Sequence, residues 1–196
     1  MPDNPTFIPH GPIFQTAYVV DDLDEALRHW TTVLRIGPFF RIDHVPLEHY
    51  SFEGKPSTPD LTIALAYSGE VQVELVAQHN DAPSLYLSHL RANGPGFHHV
   101  CIRAAGYEAG RASLESAGLT CCSEGRVRNA GRFGYFRPSD PRGLIVEIGE
   151  GRPSTQAFFK GIKDASRDWN GLDPVRLAQF PSDEVLAVSP ALFARS

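Results

Sequence analysis

The sequence predicts an α+β chain built from two βαβββ modules, at about residues 11–80 and 95–150, followed by a C-terminal extension at 151–196. Three observations carry that expectation. A β-rich segment, an amphipathic helix and three more strands occur twice in succession. The segment QTAYVVDDLDEAL overlays HVCIRAAGYEAGR when Gln15 is set on His99, an offset of 99 minus 15, or 84 residues. Each copy also carries a carboxylate late in an otherwise largely apolar strand.

The elements follow in order. IFQTAYVV (13–20) is rich in β-formers, and in DDLDEALRHWTTVL the residues Leu23, Ala26, Leu27, Trp30 and Leu34 recur at helical spacing. Asp22 with Glu25 three residues on forms a capping pair, and Gly37-Pro38 marks the stop. GPFFRIDHV and a polar loop near 51–60 precede LTIALAY and VQVELVAQ, a hairpin turned by Ser68-Gly69-Glu70. A short helix around 81–92 and the turn Asn93-Gly94-Pro95-Gly96 lead into FHHVCIRA, where the pattern restarts. YEAGRASLESAGL is the second helix; a strand near 119–124, the GRFGYFRP hairpin, the SDPRG turn and LIVEIGE complete the copy. Beyond it, STQAFFKGIKDASRDW has helical spacing, while WNGLDPVRL and FPSDEVLAVSP read as irregular. This tail is expected to pack on the domain or against a dimer partner.

Composition narrows the function. Of 196 residues 42% are hydrophobic, enough for a core, and the net charge of -5 comes without long runs of either sign. That excludes an electrostatic footprint for nucleic acid or an anionic membrane and leaves small-molecule chemistry. No stretch approaches the roughly 20 apolar residues of a spanning helix, and MPDNPTFIPHGP lacks signal-peptide regions, so a cytoplasmic location is expected. Three cysteines, two of them adjacent, form no disulfide framework.

Parity sorts the polar groups. In VQVELVAQ, Val71, Val73, Leu75 and Ala77 share one face, and Gln72, Glu74, Val76 and Gln78 the other. In LIVEIG, Glu147 stands opposite Leu144, Val146 and Ile148. In FHHVCIRA, His99 shares a face with Phe97, Cys101 and Arg103, while His98 sits with Val100 and Ile102, toward the helices. His99 therefore falls on the face of Glu74 and Glu147, and the repeat adds Gln15. Mid-strand carboxylates are costly unless paired, which points to one shared polar site. Two carboxylates, one imidazole and one amide oxygen suit a divalent ion such as zinc, nickel, cobalt, manganese or iron. An ion there would polarise a substrate oxygen while a carboxylate takes a proton from the adjacent carbon.

QTAYVVDDLDEALRHW, VELVAQHN, GFHHVCI and DPRGLIVEI resemble the vicinal oxygen chelate superfamily, which includes glyoxalase I, methylmalonyl-CoA epimerase, extradiol dioxygenases and the bleomycin-resistance proteins. The likeness covers roughly residues 11–150. It implies that the modules form a curved mixed sheet around a central cavity, in a domain spanning 1–150. It also implies a glyoxalase I-like metal set of Gln15, Glu74, His99 and Glu147, with Glu147 the proton-transferring base and Glu74 ligand and second base. A homodimer is implied as well. The activity so implied is that of a metal-dependent isomerase or lyase acting on a small-molecule substrate. The rivals are a non-catalytic binding protein of the bleomycin-resistance kind and an iron-dependent extradiol-type dioxygenase. Gln15 stands where the latter would carry its first histidine. No basic cluster occupies the positions that would hold glutathione's carboxylates, so that substrate is not carried over. Phe39, Phe40, Tyr50, Phe97, Phe133, Tyr135 and Phe136 suggest an apolar or aromatic substrate. Smaller signals are a loop with His44, His49 and Tyr50 that would cover the site, His79-Asn80-Asp81 at its mouth or capping a helix, and Arg132 and Arg137 as carboxylate holders.

Overall fold

A computed structural model describes residues 10–140 and 142–184; the sequence readings on 1–9, on 185–196 and on Pro141 lie outside the described residues. The first module contributes β1 (Ile13–Val19), α1 (Leu23–Thr32), β2 (Phe39–Ile42), a β3–β4 pair (Leu47–Phe52, Lys55–Pro56), β5 (Leu61–Ser68) and β6 (Val71–Gln78). After α2 (Leu85–Asn93) come β7 (Gly96–Ile102), α3 (Tyr107–Ser116), β8 (Thr120–Val127), β9 (Gly131–Arg137) and β10 (Ile145–Gly149). The extension supplies α4 (Pro153–Arg167) and β11 (Val175–Leu177). Helix α1 starts as its capping pair requires, with the Asp22 carboxylate accepting from the Glu25 amide at 2.8 Å. It ends at Thr32, earlier than Gly37-Pro38, because the Ile36 amide reaches back to the Trp30 carbonyl in a looser turn.

All strands join one mixed sheet in the order β11-β2-β5-β6-β1-β7-β10-β9-β8-β3-β4. Each module forms a four-stranded half, and antiparallel pairing of β1 with β7 joins the two. The chain itself proves the curvature. β2 and β3 are eight strand spacings apart, about 38 Å if the sheet were flat. Only five residue steps lead from Ile42 to Leu47, which reach roughly 17 Å at most. The sheet must therefore curl into a trough whose two edges approach each other, and β3 pairs with β8 to clasp them.

The convex face is covered by helices, with α1 over Ala64, Ala66, Val73 and Leu75 and α3 over Ile102, Phe136 and Ile148. Phe39 and Phe136 belong to these outer cores, not to the cavity. The concave face has its own core, joined by Leu85 and Tyr86 of α2 and by Phe158 and Ile162 of α4. Thus α4 lies inside the trough, with Phe158 packed edge-on against Phe40 and Phe180. Val175–Leu177, expected to be irregular, adds a parallel edge strand to β2. A three-residue strand held by its neighbour has no alternation of its own to read.

Candidate metal centre

The sheet register assembles the site. Glu74 lies level with Ala17 and, across it, with His99; Gln15 lies level with Gln72 on one side and Cys101 on the other, and Cys101 with Glu147. Side chains of equal parity on these four neighbouring strands point into the trough. The carboxylates of Glu74 and Glu147 and the His99 ring offer ligand atoms all within 4.8 Å of one another. His99 Nε2 stands 3.0 Å from Glu147 Oε2 and 3.6 Å from Glu74 Oε2, and the ring is fully buried.

Gln15 belongs to the same wall. Its amide nitrogen donates to Gln72 Oε1 at 2.8 Å, and Gln72 in turn donates to the Tyr67 hydroxyl. That leaves the Gln15 carbonyl oxygen with no hydrogen-bond donor among the described residues, on a side chain that lines the cavity. Gln72 shares the parity of Glu74, so its facing was legible; its role in orienting Gln15 was not.

One expectation about the paired histidines is overturned. Ala17 of β1 pairs with His99, but the next residue, Tyr18, pairs with Phe97, so His98 is the extra residue of a β-bulge. The bulge resets the alternation. Phe97 turns to the convex side, edge-on to Tyr18, and His98 swings beside His99 with its ring among Tyr86, His89 and Tyr135. His98 Nδ1 is 2.8 Å from His99 Nδ1, so a single proton lies between them. His98 is backed by α2, not by the helices of the convex face. Its Nε2 is buried without a hydrogen-bond partner among the described residues.

The electrostatics follow from burial. The Glu74 carboxyl is pushed well above the usual carboxylate range, first by desolvation and then by the neighbouring Glu147 charge. His98 is driven well below the usual imidazole range by burial and by His99 and His89, which keeps it neutral. Burial and the two glutamates also push the Cys101 thiol up, so it offers no thiolate. The Tyr86 and Tyr135 hydroxyls, 2.7 Å apart, are held protonated mainly by burial.

The donor set fits a hard divalent ion. Ligands each about 2.1 Å from one ion stand roughly 3.0–3.4 Å apart at octahedral or tetrahedral angles, close to the spacings around His99 Nε2. Two carboxylates packed against each other in a buried wall are also the arrangement that a cation relieves.

A cavity of about 410 Å³ opens over the cluster. Gln15, Glu74, Glu147, Tyr86 and Tyr135 line its buried end, Ile63, Leu65, Phe133 and Phe159 its walls, and exposed Gln156 and Arg103 its mouth. The loop histidines lie elsewhere: His44 pairs with Asp60 and His79 Nε2 contacts the Thr62 hydroxyl. Asn80 accepts from the Asp60 amide, while Ser84 caps α2. Arg132 reaches the cavity but is engaged by Glu108 and stacked on Tyr107, and Arg137 pairs with Glu53.

A family model described as Glyoxalase/Bleomycin resistance protein/Dioxygenase superfamily matches residues 14–136. The chain belongs to that superfamily. The matched span includes Gln15, Glu74 and His99 and stops before Glu147. Among solved structures, the chain is similar to methylmalonyl-CoA epimerase from Mycobacterium tuberculosis, with 19% identity, a TM-score of 0.53 and coverage of 78% of this chain and 97% of that one. It is likewise similar to a hypothetical protein from Bacillus halodurans C-125, with 16% identity, a TM-score of 0.53 and coverage of 72% and 94%. No curated protein sequence matches. These likenesses give the superfamily's curved-sheet fold to this chain. Among the described residues no helix is long and apolar enough to cross a membrane.

Proposed function

We infer that this protein is a metal-dependent isomerase or lyase of the glyoxalase I and epimerase type. The observation that carries the reading is the convergence of Glu74, His99 and Glu147 at the buried end of an apolar cavity. Gln15, Glu74, His99 and Glu147 would hold a divalent ion: zinc, nickel, cobalt, manganese or iron. Such an ion, when bound, supplies Lewis acidity to a substrate carbonyl or enediolate oxygen. The chain's own residues do the rest. Glu147 takes the proton from the carbon beside that oxygen, and Glu74, entering from the other module, serves as a second base that can return it. Because β6 and β10 flank the β1–β7 pair, the two carboxylates reach the substrate carbon from different strands. The apolar walls exclude water and hold the substrate body. The resemblance that suggests the ligand set also supports a homodimer. Net charge and composition favour small-molecule chemistry over nucleic-acid or membrane binding, and a cytoplasmic location is part of the same reading.

The test is the metal content of protein purified without chelator, beside His99→Ala and Glu147→Ala. Near-stoichiometric divalent metal in the wild type, lost in both variants, is the expected result, followed by solvent proton exchange into an α-hydroxy carbonyl or thioester. No metal in the wild type, and none taken up when zinc, nickel, cobalt or manganese is added, would leave a non-catalytic small-molecule binder.

A further inference from the structure

The cavity above the cluster does not end at its mouth. A second cavity of about 590 Å³ adjoins it and shares Phe14, Arg103, Gln156 and Phe159 with the first. The two differ in character. The inner one is walled mainly by aliphatic and aromatic side chains, whereas the outer one is bordered by Arg103, Lys160 and Lys163 and by one carboxylate, Glu70, which Lys163 pairs. Arg103 directly follows β7, and both lysines come from α4.

What matters is which of these cations is already satisfied. Lys160 pairs with Asp164, Lys163 with Glu70, and Arg132, the other cation on the inner cavity, with Glu108. Arg103 has no carboxylate partner among the described residues. Its guanidinium is instead held 4.7 Å over the Phe14 ring, at the junction of the two cavities. A guanidinium fixed by an aromatic face keeps its hydrogen-bond fork free for a carboxylate or phosphate.

We propose that the ligand is an amphiphilic organic anion. Its apolar body and reacting carbon occupy the inner cavity, and its carboxylate or phosphate lies in the outer cavity against Arg103. The placement of the reacting carbon rests on the function proposed above; the anion site rests on the two cavities and on Arg103. No basic cluster was visible along the sequence because β7 and α4 bring these cations together from positions some 60 residues apart, 103 against 160 and 163.

A matched pair of fluorescent probes tests this on the full chain. Anilinonaphthalene sulfonate and neutral N-phenylnaphthylamine share one apolar body and differ in the anionic group. The sulfonate is expected to bind about tenfold more tightly, as one charge-assisted contact implies. Arg103→Gln should abolish that gap and leave N-phenylnaphthylamine binding unchanged, with Arg103→Lys recovering part of it. Lys160→Gln, whose ammonium is already paired, should change the gap less than about twofold. Decanoate and decyl phosphate should both displace the sulfonate probe at lower concentration than decan-1-ol, and the better of the two names the anion. Equal binding of the two probes, a gap that survives Arg103→Gln, or displacement by decan-1-ol at equal concentration would overturn the proposal. Metal content measured on Arg103→Gln separates the two ideas. Its retention alongside a lost gap is expected, and absence of metal in the wild type would sink the metal-centre reading alone.

Discussion

The opening strands of the two modules occupy equivalent places, side by side at the centre of the sheet, and treat their polar residue in opposite ways. On β1, Gln15 is tied down through Gln72 to Tyr67, in a chain of neutral amides and a phenol. On β7, a bulge places a second histidine behind His99, which is left with one nitrogen toward His98 and the other toward two carboxylates. The repeat fixes where a ligand can stand; the local deviation from it fixes what that ligand can do.

Four perturbations test this contrast, and the largest effect belongs to the bulged strand. His99→Ala should lower zinc affinity by at least about 100-fold, read by calorimetric titration, against about tenfold for Gln15→Ala. Next, His98→Phe keeps a ring in the same packing but removes the nitrogen that faces His99 Nδ1. It is expected to weaken zinc about tenfold with little change in Tm, and His98→Gln should recover part of the loss. Equal affinity in His98→Phe would mean the second histidine only fills space.

The third contrast concerns the carboxylates. In chelator-treated protein the folded-state pKa of Glu74 lies above its unfolded value, so its contribution to stability is fully present below the ordinary glutamate pKa. That contribution is lost as pH rises through the raised value. Glu74→Gln should therefore flatten the fall of Tm with rising pH. At neutral pH it should raise metal-free stability by about 1–2 kcal/mol, roughly 2–8 °C for a chain this size. A variant that melts lower than the wild type at neutral pH would contradict the assignment. The smallest effect is that of Gln72→Leu, which leaves the Gln15 amide without its partner at a cost of about 1 kcal/mol in thermal melting.

Much of this was legible in the residues. Capping at Asp22, the hairpins and the two modules follow from local chemistry that every strand and helix repeats. The facing of Glu74, His99 and Glu147 follows from alternation alone, since β6, β10 and β7 from His99 onward run without a slip through the residues that matter. His98 and Phe97 were misplaced for the converse reason. A bulge is defined by the partner strand, and no property of FHHVCI by itself shifts the parity. The amphipathic spacing of α4 likewise reveals that a face is buried without revealing what buries it. Phe158 and Ile162 turned out to complete the concave core. Arg103 was read as one more strand residue because its meaning lies in Phe14 and α4, both distant in sequence.

The clasp between β3 and β8 has a consequence for how such a chain is made. Leu47 pairs with Val127, 127 minus 47 or 80 residues later, so an N-terminal strand waits for most of the polypeptide before its neighbour exists. Until then β3 would present an open hydrogen-bonding edge, the kind of surface on which nascent chains associate wrongly. Assembly should accordingly be slow, as expected for non-local strand pairing. Severing the gene between the two modules should yield fragments that stay in solution only when co-expressed, each shielding the other's edge.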